Sequence, residues 1–516
     1  MFLGTAITGD WSRPVPVRSV DEFKKNFGTY SPDGSITYEY VAGLLSAGLP
    51  VLFQRIACEK QSTVEWMNNV PIFTEALKKA ECASYTATHG TEPNTVTDMI
   101  ITEKYGGSYG NQMTVVIRLV NKTYWIDVKY RGAVLEKYKI VTMEGNETVY
   151  DRNKKFIDAI NAIEFKKVNI DIPVDTNSTD PAEIQKVENY IIPVNPTKQD
   201  GSIDEYALTN GSDFDEAMVV DEIPNLIFPK LTDKILYQPK FLTSGGYTDD
   251  TGNAIGEAMK NLSEARQDCR ALIDLPLGTL MSAQQSTAEA KYAYMQLSGT
   301  SIIPSASMCA PWAYMQVGNN QVWMPPSYIF LTVLGDNVSK GGKTYTPKAG
   351  YTSGRILNII KPEFDIGSDI CEQWQKSGAT NINPIMQLQS GDYIIAGNST
   401  LLRIDEDEVN AFNESSADLA VIEIRRFVYN LASELQYQYN GADAFETFSM
   451  KTSNFLNRMA SDGTVTDYSI ANVSTDDNPR TLKIQLNVWV APTIKAIEIY
   501  LNVSYGSVTM SSGGEE

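Results

Sequence analysis

Histidine is nearly missing from this 516-residue chain, with His89 as its single example. It lies in the polar stretch Thr86-Ala-Thr-His89-Gly-Thr91, which reads as a loop. No nucleophile and orienting carboxylate are recognisable around it, so a Ser-His-Asp hydrolase is disfavoured. Cysteine is sparse too. Cys58, Cys82, Cys269, Cys309 and Cys371 are dispersed, with no CxxC pair and no histidine at ligand spacing. That spacing speaks against zinc sites and reads as small buried thiols kept reduced in a cytosolic assembly environment. No metal and no cofactor is expected.

Long apolar runs are lacking as well. Nothing approaches the roughly 18 uncharged apolar residues of a membrane span, so no membrane insertion is expected. Residues Met1 to Asp10 do not show a basic region, an apolar core and a small-residue cleavage site. Positive charge is in deficit: 43 Lys and Arg stand against 63 Asp and Glu, a net charge of −20. With no evident Lys/Arg-rich face interleaved with aromatics, direct nucleic-acid binding is disfavoured. Basic or mixed-charge protein surfaces fit better as partners.

Two further patterns yield to plain readings. Asp405-Glu-Asp-Glu408 offers paired carboxylates, but four adjacent acids at what looks like a helix start mostly point to solvent and favour the helix dipole. Gly106-Gly-Ser-Tyr-Gly110 and Lys340-Gly-Gly-Lys343 do not match a phosphate-binding loop and read as turns.

Composition is that of a folded globular chain, 42% hydrophobic and 21% charged, long enough for two to four domains. The opening reads as strands Thr5 to Thr8 and Val15 to Arg18, a helix Asp21 to Phe27 closed by Gly28, a helix Tyr38 to Leu49 and a buried strand Pro50 to Ala57. Strands Met113 to Leu119, Tyr124 to Tyr130 and Val134 to Val141 mark a β-rich stretch. Asp175 to Gly211 reads as a long exposed connection. From Ile223 to about Ile360 apolar strands (Ile235 to Leu242, Cys269 to Leu275) alternate with helices (Ala254 to Arg266, Ala288 to Leu297), the grammar of a parallel, helix-flanked sheet. The end holds two amphipathic helices, Leu419 to Gln438 and Phe445 to Met459, then strands Thr481 to Val490 and Ile497 to Val503.

In this order the segments resemble the contractile tail sheath family. The start Phe2-Leu-Gly-Thr-Ala-Ile-Thr-Gly-Asp10, then Pro14 to Phe23 with Phe27-Gly28, is similar to that family's opening. Gly106 to Asn111 is similar to its entry to a protruding domain, and Leu208 to Asp213 resembles one of its glycine-rich loops, with Asn210 standing where the family has glycine and Phe214 replacing the residue that usually follows. The densest run is Arg270-Ala-Leu-Ile-Asp274-Leu-Pro276, Ala310-Pro311-Trp312, Met324-Pro325-Pro326-Ser327, Asp336 and Thr346-Pro347-Lys-Ala-Gly350. Ile395 to Leu401 and Ile424-Arg425-Arg426 continue it. Read for chemistry alone, these prolines and glycines fix strand ends and turns.

The resemblance implies an α/β multidomain protein. Residues 1–84 and 223–400 would form a central subtilisin-like α/β domain, 85–175 an inserted β-rich protruding domain and 176–222 a polar connection. Residues 401–495 would be an α+β domain facing an inner tube, and 496–516 a strand arm and tail. It implies a non-enzymatic subunit that stacks with itself as hexameric rings in a helical array around a tail tube protein, with baseplate and tail terminator proteins as further partners. The virion tail, assembled in the host bacterial cytoplasm, is the implied location. Ile497, Ile499, Leu501 and Val503 form the apolar face of the candidate inter-subunit arm, and Arg425, Arg426 and Glu434 a candidate tube-facing surface. The family's usual N-terminal arm has no counterpart ahead of Phe2, so ring linkage either differs or uses residues upstream of this sequence. The alternatives are a phage-derived bacteriocin or other injection-system sheath, a hydrolase on a subtilisin-like fold, and an adhesion module on the β-rich insertion.

Overall fold

The apolar run Val51–Ile56 must be covered on both faces, and it becomes the middle strand of a three-stranded sheet. In the computed structural model it pairs in parallel with Phe2–Thr5 and antiparallel with Val15–Val17. The structure describes residues 2–11, 13–29, 35–56, 58–67, 70–79, 83–89, 96–105, 108–195, 205–210, 231, 233–234, 236–248, 254–278, 306–375, 381–402, 410–437, 439, 442–474 and 480–493. Of 58–67, 70–79, 87–89, 96, 108, 254, 375 and 442 only the backbone is described.

The largest sheet has the order Phe241–Leu242, Arg270–Ile273, Ala306–Ala310, Asn383–Gln387, Tyr393–Ile395, Arg355–Ile356. Its first four strands are parallel, and the last two are joined antiparallel. One parallel bridge, Phe2 to Thr243, links the N-terminal sheet to it. Alternation along Arg270–Ile273 sends Ala271 and Ile273 into a core with the Ala254–Arg266 and Ser368–Gln375 helices. Leu272 points the other way, into a core shared with the helices Thr37–Ser46, Pro326–Ser339 and Ser415–Leu435. The molecule is therefore mixed α/β, its main sheet covered on both faces.

A further core is built by residues 83–208 together with Ile7 of the N-terminal segment. Antiparallel strands Ala133–Thr142, Thr123–Tyr130, Met113–Val120 and Tyr206–Ala207 form one sheet, and Val168–Asp171, Val96–Glu103 and Ser84–His89 another. The stretch expected to be β-rich also carries a helix, Val149–Asn161, whose Phe156, Ile157 and Ile160 fill the core, with Thr148 capping it by accepting from the Asp151 N–H. The expected exposed connection contains a second helix, Pro181–Asn189, and Val187, Tyr190 and Leu208 are buried there. Asp180 accepts the Ala182 N–H and Pro181 opens the helix, a start signal that the polar composition concealed. His89, expected in a loop, ends the strand Ser84–His89.

Two further boundaries shift. Among the described residues 236–242 of the expected strand Ile235 to Leu242, only Phe241–Leu242 is strand, because Pro239 cannot donate to a ladder and Leu236 N–H caps back onto Asp233; Ile235 lies outside the described residues. The first strand is Phe2–Thr5 and not Thr5 to Thr8. At the end, helices Ser415–Leu435 and Ala442–Ser461 pack on the hairpin Val465–Asn472 and Ile484–Val490 around Ile424, Leu456 and Met459. The expected helix Ala288 to Leu297, the acids Asp405 to Glu408, and the arm with Ile497, Ile499, Leu501 and Val503 lie outside the described residues.

Candidate functional site

The motif residues between Arg270 and Ser327 converge on two polar nodes at opposite ends of one strand. At its C-terminal end, Asp274 accepts the Ser327 N–H at 2.8 Å and the Ser327 hydroxyl at 2.5 Å. The Tyr40 hydroxyl stands 2.8 Å from Ser327 Oγ and 3.1 Å from Thr243 Oγ1. One network thus joins the Thr37–Ser46 helix, two strand ends and the start of the Pro326–Ser339 helix, where Pro325 is the N-cap and Pro326 the first residue. Pre-set φ and a missing N–H suit proline to that place. Burial raises the Asp274 carboxyl to about 7, against the lowering effect of its hydrogen bonds from Ser327. The Tyr40 hydroxyl is pushed well above its ordinary range by burial and then by Asp274.

At the other end of the strand, Arg270 donates through Nη1 to Ser415 Oγ and through Nη2 to Asp418. The two charged side chains are 0% and 1% exposed. Burial pushes the Asp418 carboxyl up while the Arg270 guanidinium pulls it back. Nearby, Glu423 accepts from Lys240 and from Thr344, and Arg426 donates to the carbonyls of Gln238, Pro239 and Asp268. These contacts tie the Ser415–Leu435 helix to the edge of the main sheet.

The remaining motif residues shape backbone. Half-buried Pro276 follows the strand, and Trp312 donates from Nε1 to the Leu275 carbonyl at 2.7 Å, beside the cis Ala310–Pro311 peptide. Asp336 pairs with Lys340 at 2.6 Å at the surface. Pro347 lies on the turn before Gly350, whose φ of +76° favours glycine. Between them Lys348 is buried, donating to the carbonyls of Lys343 and Thr346, and burial lowers its ammonium to about 8.

A serine beside a carboxylate at the C-terminal end of a parallel strand occupies the place where α/β proteins put active sites. Here Ser327 is 3% and Asp274 5% exposed. The adjoining void, lined by Ser244, Tyr247 and Met259, measures about 10 Å³, room for one water and for no substrate. The arrangement can hold segments together.

The chain matches no family model. It is 22% identical over 254 residues to the tail sheath protein of Enterobacteria phage T4, covering 46% of this chain and 36% of that protein. The match thus spans little more than a third of that relative's length. A sheath tail protein from Listeria innocua shares the fold over 94% of this chain and 90% of its own, with a TM-score of 0.58 at 9% identity. The chain resembles tail sheath proteins. A sheath tail protein from Desulfitobacterium hafniense aligns over 95% of both chains at 12% identity, with a TM-score of 0.49.

On this sheath-like fold, Arg425, Arg426 and Glu434 each find a partner within the chain. Arg426 is half-buried on the backbone of residues 238–268, Arg425 reaches the Gln267 carbonyl at 3.5 Å, and Glu434 pairs with Lys451 of the next helix at 3.0 Å. A long helix with charges beside apolar residues needs partners for both, and the nearest acceptors were the chain's own carbonyls. Sequence reasoning missed Tyr40, Thr243, Ser415 and Asp418. Asp418 had one usable signal, an acid set in the apolar-flanked run Ser415-Ser-Ala-Asp-Leu-Ala-Val421. Tyr40 and Thr243 had none.

Proposed function

We propose that the chain is the structural subunit of a contractile tail sheath. It polymerises as stacked hexameric rings around an inner tail tube, and contraction drives the tube through the host envelope for DNA ejection. The supporting observation is a sheath protein's fold over 94% of the chain, with its most chemistry-like residues buried as fasteners. A subunit that moves between two packed arrangements must itself stay rigid. Buried polar nodes binding the N-terminal helix and the Ser415–Leu435 helix to one sheet meet that demand.

On this reading residues 85–175 protrude, a subtilisin-like body carries the load, 401–495 turn toward the tube, and 496–516 reach a neighbour. Baseplate and tail terminator proteins close the ends of the array, and the protein is a component of a phage or phage-like particle. The work is mechanical and needs no catalysis. A phage-derived bacteriocin makes the same geometric demands.

Negative-stain electron microscopy of the purified chain after concentration tests the reading. Hollow cylinders with a regular helical striation are expected. Monomers that persist after upstream coding sequence and the tube protein are supplied would sink it.

A further inference from the structure

Along the sequence no basic face is evident, yet folding makes one, which corrects that expectation. Between Met113 and Thr142 there are six basic residues and two acids, in a chain of net charge −20. Strand pairing gathers them. The register sets Arg118 opposite Trp125 and Trp125 opposite Lys139, with Asp127 opposite Lys137 in the next row. Side chains alternate along a strand, so these share the face opposite the buried Ile117, Ile126 and Val128. Arg118 and Lys137 lie 5.9 and 5.2 Å from the Trp125 ring centroid. Asp127 neutralises Arg118 at 2.9 Å and Glu205 neutralises Lys129 at 2.6 Å. The surplus positive charge is therefore on the edge strand Ala133–Thr142, where Lys137 and Lys139 are exposed.

The far side of the same unit is acidic. The Val149–Asn161 helix covers the inner face of the sheet, and the segment after it lies on that helix, with Asn153 donating to the carbonyls of Val187 and Tyr190 at 2.8 Å. From Asp171 to Glu188 five acids stand against the single base Lys186. Asp171, Asp175, Asp180 and Glu188 are exposed.

We propose that the basic sheet face docks on the acidic ridge of a second copy of this chain. The occupant follows from charge: every other copy is acidic overall, and its ridge is the complement of this face. The two surfaces lie on opposite sides of one unit, so the contact is head to tail and extends from copy to copy. It deepens the reading as a self-assembling sheath, on which it rests, by naming a contact between neighbouring inserted units.

The test is a charge swap in the full-length chain. One variant carries Lys137→Glu and Lys139→Glu, the other Asp175→Lys and Glu188→Lys, all at exposed sites, and thermal unfolding confirms that each is folded. By sedimentation at low salt each variant alone is expected to self-associate roughly tenfold more weakly than the parent chain. High salt should weaken the parent toward the variants. Equimolar mixing should restore association, because the reversed face of one meets the reversed ridge of the other. Unchanged association of both variants, or no rescue on mixing, overturns the contact. Micrographs of the same samples separate the two ideas: cylinders from the parent and both variants alike keep the sheath and discard the contact, and a parent chain that stays monomeric discards it too. Binding to polyphosphate that the first variant loses, with self-association intact, would assign the face to a polyanionic ligand instead.

Discussion

Two parts of the molecule are joined to the rest by different chemistry. The Ser415–Leu435 helix is held through Arg270 and Asp418, opposite charges out of reach of water. The inserted unit is held through Arg55 of the Val51–Ile56 strand, which donates to the Tyr105 carbonyl at 3.0 Å while also binding the Ala6 and Gly9 carbonyls of its own N-terminal segment, through Lys167 on the Lys25 carbonyl at 3.4 Å, and through Ile7, which enters its core. Removing one charge from the first joint strands the other in the interior. Of the carbonyls released from the second, that of half-exposed Tyr105 can turn to water, while those of Ala6 and Gly9 are buried within the N-terminal segment and leave the inserted unit untouched. The first joint is all-or-none, and the second can loosen while the sheet stays folded.

The sharpest way to break that contrast is Arg270→Met, expected to cost about 3–5 kcal/mol in urea unfolding. Adding Asp418→Leu should return most of the loss, since an apolar pair of similar volume often replaces a buried ion pair without harm. A single variant within about 1 kcal/mol of the parent would show that the joint is not of this kind.

Asp274 carries the comparison to the joint with the N-terminal helix. Its carboxyl is raised to about 7 in the folded chain, so the unfolded chain releases that proton first as pH rises. This contribution to stability is therefore full below about pH 4 and falls by roughly 1.4 kcal/mol per unit until about pH 7. In Asp274→Asn that part of the pH dependence should vanish; an unfolding midpoint that follows the parent at every pH would refute the assignment.

Arg55→Met has the smallest expected effect, about 1–3 kcal/mol. Its signature is local: hydrogen exchange should quicken across residues 96–208 and hold steady in the Arg270–Ile273 and Ala306–Ala310 strands. Equal quickening in both would mean that the two joints do not differ.

What could be read in the sequence was what neighbours in the chain decide. Pro276, Pro325, Pro326 and Gly350 act on their own backbone, and their spacing exposed both the family resemblance and the strand ends and turns. Periodicity found both C-terminal helices within a few residues. Partners distant in the chain were illegible: Tyr40 meets Ser327 across 287 residues, and Arg270 meets Asp418 across 148. The Pro181–Asn189 helix was hidden by a composition that suits loops equally well. The basic face was hidden for another reason, since alternate residues on three strands form no run.

The distance between Arg270 and Asp418 also sets an order in time. A ribosome adding about 5–20 residues per second makes the cation roughly 7–30 s before its counter-charge exists. Until the Ser415–Leu435 segment emerges, Arg270 has no acid to meet at its place in the interior and is better left hydrated. The strand that bears it is thereby discouraged from closing early. A nascent or truncated chain that ends before Asp418 accordingly lacks the finished body.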